Sequence, residues 1–182
     1  SDCSGGAGIQ ADIKTMSALG VYASSVITAI TVQNTKGVSG VYPVDSAVIK
    51  EQINAVMDDI CPQAVKIGML DSRETVSEVA DALCDYRDKY IVVDPVMISS
   101  SGTRLMRQDA VDTFCSKLLP ITYLLTPNIL EAEQLSGIEI SRMEDARIAA
   151  CRIAKTGCRN VLVTGGHIEG DTKNDWLFMF EI

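Results

Sequence analysis

The sequence predicts a doubly wound α/β fold with a mostly parallel central sheet. Three observations lead there: short, nearly continuous apolar runs, amphipathic stretches of helical period, and the regular alternation of the two, as a sheet covered on both faces requires. With 182 residues, 47% of them apolar, the chain can bury one proper core. No repeat, low-complexity tract or linker divides it, so a single domain over residues 1–182 is expected.

After a glycine-rich start, Ile9 to Leu19 reads as a helix closed by Gly20, and Tyr22 to Gln33 as a β-branched strand too apolar to face water. Asp45 is placed as the cap of a helix reaching Ile60, in which Ile49, Ile53, Val56, Met57 and Ile60 recur at helical spacing. A strand at Ala64 to Ile67 follows. Ser72 to Lys89 repeats the helical pattern through Val76, Val79, Ala80 and Leu83, before a strand from Tyr90 to Asp94 that Pro95 stops. Asp109 to Leu119 reads as a helix, Thr122 to Leu125 as a strand, and Ile129 to Leu135 and Glu144 to Lys155 as helices. Asn160 to Val163 and Trp176 to Phe180 complete the strands. In such sheets ligands bind beyond the carboxyl ends of the strands, so residues just past each strand are the functional candidates.

The net charge of −8 argues against a general nucleic-acid binder, which needs a basic face to neutralise phosphates. Any anionic ligand must be held locally, by helix N-termini, backbone N–H nests or a metal ion. Cys3, Cys61, Cys84, Cys115, Cys151 and Cys158 form no CxxC pair, and His167 is the only histidine, which argues against structural zinc. Thiols within apolar helical patterns suit a reducing cytoplasm. No apolar run approaches the ~18 residues of a membrane span, and the first residues carry no secretory pattern.

Ser4-Gly5-Gly6-Ala7-Gly8 leads into the first helix, where glycines let backbone N–H groups approach an anion or a flat ligand; a tight turn without ligand is the alternative. Gly6, Gly8 and Ala11 satisfy the spacing of the dinucleotide fingerprint, but no acid lies between Asp12 and Asp45 to hold a ribose. A P-loop is imitated by Gly8 to Thr15, with Ile13 where glycine must precede Lys14-Thr15. Neither nucleotide motif is complete.

Asp94 places a carboxylate at the mouth of the sheet, suited to a hard cation or to capping a turn before Pro95. Beyond the next strand, Asn128 and Glu131 share the first turn of a helix. They could hold hydrated Mg²⁺ beside a nucleotide phosphate, or form a capping box. Two acidic strand ends in a sheet without a P-loop suggest a kinase, because phosphoryl transfer needs Mg²⁺ to neutralise the transferring group. Gly165-Gly166-His167 follows the strand Asn160 to Val163 and could border a nucleotide, although a lone histidine is more often a packing residue.

The segment Ser1 to Asp12 with Lys14-Thr15 resembles the opening of the hydroxymethylpyrimidine/phosphomethylpyrimidine kinases, a ribokinase-like family of thiamin biosynthesis. Val26 to Ala29, Val32 to Thr35, Val65 to Leu70, Val93 to Met97, Thr126-Pro127-Asn128 with Glu131, and Gly165-Gly166-His167 continue the resemblance in register. It implies a three-layer α/β/α sandwich that phosphorylates the pyrimidine and its monophosphate with ATP and Mg²⁺, as a homodimer. By the same resemblance, Asp12 and Gln33 hydrogen-bond the aminopyrimidine, Met69 and Val96 pack on its ring, and Gly8 borders it. Asn128, Glu131 and Thr164 fall to the ATP phosphates, and Asp94 and Glu131 to Mg²⁺. Without the resemblance, Met69 and Val96 read as plain core residues.

The family also has a strand ahead of Ser1 and a later Gly-Thr-Gly-Cys segment whose N–H groups form an anion hole; the 182 residues contain neither, so no catalytic cysteine is assigned, and the expectation is either a longer protein or an inactive fragment. Cys3 stands where the family has Pro, and Thr164 where it has Lys. Pyridoxal kinase is the nearest rival, and a non-catalytic pyrimidine-binding module the rival from another class.

Overall fold

The computed structural model describes residues 1–98, 104–165 and 174–180. Helix α1 spans Gly8–Ala18, and strands β1 (Ala29–Asn34) and β2 (Gly37–Pro43) form an antiparallel hairpin of their own. Then follow α2 (Ser46–Asp59), β3 (Ala64–Ile67), α3 (Arg73–Leu83), β4 (Tyr90–Val93), α4 (Ala110–Thr113), β5 (Leu124–Leu125), α5 (Ile129–Ser136), α6 (Met143–Ala154), β6 (Asn160–Val163) and β7 (Trp176–Met179). The main sheet has the order β3-β4-β5-β6-β7, parallel except for β7.

Each step from β3 to β6 moves one place in the same direction, so right-handed crossovers put the connecting helices on one face. The packing of α2 on α3, α3 on α4 and α5 on α6 builds that layer. Across it, Ile67 opposes Val93, Val93 opposes Leu125 and Leu125 opposes Val161, a row that lies wholly within the buried core. The opposite face carries Lys66, Val92 and Leu124 in register, with α1 above Lys66. Coverage there is partial: Tyr90 and Leu177 remain 55% and 54% exposed and Met179 76%.

Local chemistry sets the element ends. Asp45 accepts the Ala47 N–H at 2.9 Å and Ser72 the Thr75 N–H at 3.2 Å, so both following helices have N-caps. Gly137 closes α5 in the left-handed conformation, at φ +67°.

Four expectations change. The strand expected from Tyr22 to Gln33 starts only at Ala29, because the Gln52 side chain binds both backbone groups of Ile27 and replaces a neighbouring strand. It is also not buried throughout: Ile30 and Val32 are exposed on the hairpin, whose second strand the sequence reading missed. The helix expected to reach Lys89 ends at Leu83, its last core residue, and tightens into a 3₁₀ turn over Cys84–Tyr86. The helix expected from Asp109 to Leu119 passes from α4 into a π turn over Phe114–Leu118 and a 3₁₀ turn over Leu119–Ile121, where Pro120 has no N–H to continue it. No described helix is long and apolar enough to cross a membrane.

Candidate active site

The ladder of the parallel strands runs on past their ends. The Asp94 N–H donates to the Ile67 carbonyl, the Thr126 N–H to Val93 and the Thr164 N–H to Pro127, each at 2.9 Å. These bonds hold Asp94, Thr126 to Asn128 and Thr164 side by side at the carboxyl rim, and Asn128 and Thr164 form a parallel bridge. Met69 follows β3 on the same rim, where its carbonyl accepts from the Thr28 hydroxyl at 3.0 Å. Met69 and Val96 are half-buried, and neither belongs to the buried core.

The glycine-rich loop is organised by a group the sequence reading left without a role. The buried Asp2 carboxylate accepts from the Ser4 N–H and hydroxyl, each at 2.8 Å, the Ala7 N–H at 2.9 Å and the Gly6 N–H at 3.2 Å. The nest that could have faced an external anion is filled by the chain's own carboxylate. Burial alone would raise the Asp2 pKa, but the bonds from Ser4, Ala7 and Gly6 outweigh it and hold the group below its ordinary value. Gly8 opens α1 at φ +56°, and a Cβ there would come within 3.2 Å of the Asp2 nitrogen.

Asp12 projects from α1 onto Lys66 of β3, whose ammonium donates to both carboxylate oxygens at 3.1 and 3.2 Å. Lys66 was missed; its signal was a lysine inside an otherwise apolar strand of four residues. Asp94 is half-buried, and burial pushes its carboxyl up; the nearby Lys66 charge opposes that rise and Asp12 reinforces it. Asp12, Lys66 and Asp94 therefore form one electrostatic group.

Gln33 lies at the β-bulge of β1, its side-chain oxygen 3.4 Å from the Thr31 hydroxyl and its carbonyl accepting from the Cys3 thiol at 3.1 Å. The glycine loop thus joins Gln33 on one side to α1 and Asp12 on the other. Glu131 and Asn128 form a complete capping box; Glu131 is buried, and its second oxygen takes the Met97 N–H at 3.4 Å. Among the described residues no three acids, cysteines or histidines converge as a metal cage. All six cysteines are free thiols, and burial pushes Cys158 up to about 11. Gly166 and His167 lie outside the described residues.

Residues 2–181 match the sequence profile of the family described as phosphomethylpyrimidine kinase. The chain belongs to that family. The hydroxymethylpyrimidine/phosphomethylpyrimidine kinase of Rhizobium meliloti is 49% identical over 180 residues, covering 98% of this chain and 67% of the relative. The crystal structure of phosphomethylpyrimidine kinase from Clostridium difficile superposes with a TM-score of 0.92 at 49% identity, covering 100% of this chain and 78% of that one. A pyridoxal kinase from Staphylococcus aureus, in complex with AMP-PCP and pyridoxal, gives a TM-score of 0.86 at 32% identity over 98% of this chain and 65% of its own. Among curated relatives, the chain spans as little as 36% of the length of a bifunctional thiamine biosynthesis protein from Geobacter sulfurreducens. The kinase-family match and the α/β architecture agree with the expectation drawn from the motifs.

Proposed function

We propose that the protein transfers the γ-phosphoryl group of ATP to the hydroxymethyl oxygen of 4-amino-5-hydroxymethyl-2-methylpyrimidine, and then phosphorylates the monophosphate, for thiamin synthesis. The observation that carries this reading is a linked set of side chains: Asp12 paired to Lys66, half-buried Asp94 feeling the charges of both, and Gln33 joined to the glycine loop that opens α1. A flat heteroaromatic base needs a few aimed polar groups beside apolar surface, and Asp12 and Gln33 with Met69, Val96 and Gly8 supply that combination.

The substrate oxygen attacks the γ-phosphorus, the bond to the bridging oxygen breaks, ADP leaves and the hydroxyl proton is released. Asn128, Thr164 and Glu131 would face the ATP phosphates, the first two adjacent through their parallel bridge. Asp94 and Glu131 would hold Mg²⁺, and the donor set fits: a carboxyl raised by burial gains from a cation, and Mg²⁺ needs only one or two carboxylates beside waters and phosphates. When bound, the ion supplies charge neutralisation of the transferring group. Free thiols and the family resemblance support a cytoplasmic homodimer.

A second reading, pyridoxal kinase, is favoured by the likeness to the Staphylococcus aureus enzyme, since pyridoxal also carries a hydroxymethyl group on a flat ring. An ADP-release assay with both substrates tests the assignment. Faster turnover of the pyrimidine is expected; faster turnover of pyridoxal, or pyrimidine binding without ADP release, overturns it.

A further inference from the structure

Helix α1 presents the candidate pyrimidine-binding Asp12, yet little fixes the helix to the rest of the fold. None of its residues is fully buried, and no side chain caps its N-terminus. The polar bonds of its other side chains stay within the N-terminal segment: Gln10 to Asp2, Lys14 to Gly5 and Thr15 to Ala11. Among the described residues, the bond from Lys66 to Asp12 is the only hydrogen bond or ion pair joining α1 to the five-stranded sheet. Glycine at position 68 leaves the Lys66 ammonium its room, since a Cβ there would stand 3.3 Å from its Nζ.

We propose that Lys66 is a positioning residue for substrate recognition, clamping α1 to β3 so that the Asp12 carboxylate meets the pyrimidine in one orientation. The inference rests on the pyrimidine reading above. A two-oxygen clamp removes the rotational freedom of the Asp12 side chain before substrate arrives, which lowers the ordering cost of binding. The pair is partly open to water, with side chains 29% and 30% exposed, so its share of folding stability is small. Loss of the clamp therefore acts on recognition rather than on folding.

Steady-state kinetics and thermal melts on the full chain test the clamp with Lys66→Met, Lys66→Arg, Asp12→Asn and the Lys66→Met/Asp12→Asn pair. Lys66→Met is expected to raise KM for the pyrimidine about tenfold, with a smaller change in kcat and less than about twofold in KM for ATP. Lys66→Arg should recover most of the loss, and Lys66→Met should add little once Asp12 is Asn. Gly68→Ala, crowding the ammonium, should shift the same KM in the same direction. If Asp12→Asn raises KM but Lys66→Met leaves it unchanged, or raises both substrate constants alike, the clamp is overturned and the pyrimidine reading stands. If Asp12→Asn itself leaves the pyrimidine KM unchanged, Asp12 is not a recognition group, and the clamp falls with it.

Discussion

Asn128 and Glu131 satisfy each other's backbone: the Asn128 N–H donates to Glu131 Oε2 at 2.9 Å, and the Glu131 N–H donates to Asn128 Oδ1 at 3.0 Å. The pair starts α5 at the rim where the phosphates are proposed to bind, so one carboxylate has a structural duty and a proposed metal duty. Glu131→Gln separates them, because Gln keeps an acceptor for the Asn128 N–H and loses the charge. Urea unfolding should show a loss of about 1 kcal/mol. The Mg²⁺ concentration for half-maximal rate should rise, and an unchanged Mg²⁺ dependence would leave Glu131 with its capping role alone.

Asp94→Asn should make the protein more stable and less active. Burial raises the folded pKa of Asp94, so its ionised form opposes folding at neutral pH, and this cost shrinks as pH falls below the raised value and is gone by the ordinary 3.8. Thermal melts at pH 7 to 8 should therefore place Asp94→Asn above the parent chain, with the gap closing in acid. Phosphoryl transfer should be lost at every pH, since Asn offers no charge to the cation. A variant that is destabilised at neutral pH would contradict this account of the site.

Asp2→Asn should have the opposite sign. The folded pKa of Asp2 is held below the ordinary 3.8, so its contribution is complete above that value and disappears as pH falls through the lower folded one. At neutral pH the amide, which cannot accept from all the N–H groups of the loop, should cost roughly 2 kcal/mol by chemical denaturation. The difference between variant and parent should narrow below pH 3.8.

Gln33→Leu should weaken pyrimidine binding without unfolding the hairpin, because Gln33 is only half-buried and its one side-chain bond among the described residues, to Thr31, is long at 3.4 Å. Calorimetric titration with the pyrimidine checks this. Unchanged affinity would remove Gln33 from the site.

The main sheet was legible because each parallel strand is a short apolar run between amphipathic helices; Ala64–Ile67 and Asn160–Val163 were placed to the residue. The capping box was legible as one of two readings of Asn128 and Glu131, since cap chemistry depends on neighbours within one helical turn. The hairpin was not. Its first strand merges in sequence with the apolar residues before it, and only Gln52, 25 residues away from Ile27, separates the two.

What the sequence determined by itself was the local and periodic: which segments become strands or helices, where caps and breakers stand, and which family motifs recur. Tertiary structure alone decided that Asp2 fills the glycine nest, that α1 lies over the Lys66 face, and that Lys66 reaches Asp12 across 54 residues of chain. The reason is physical: period and capping act over a few residues, whereas a carboxylate's partner is chosen by whatever the folded chain brings within about 3 Å.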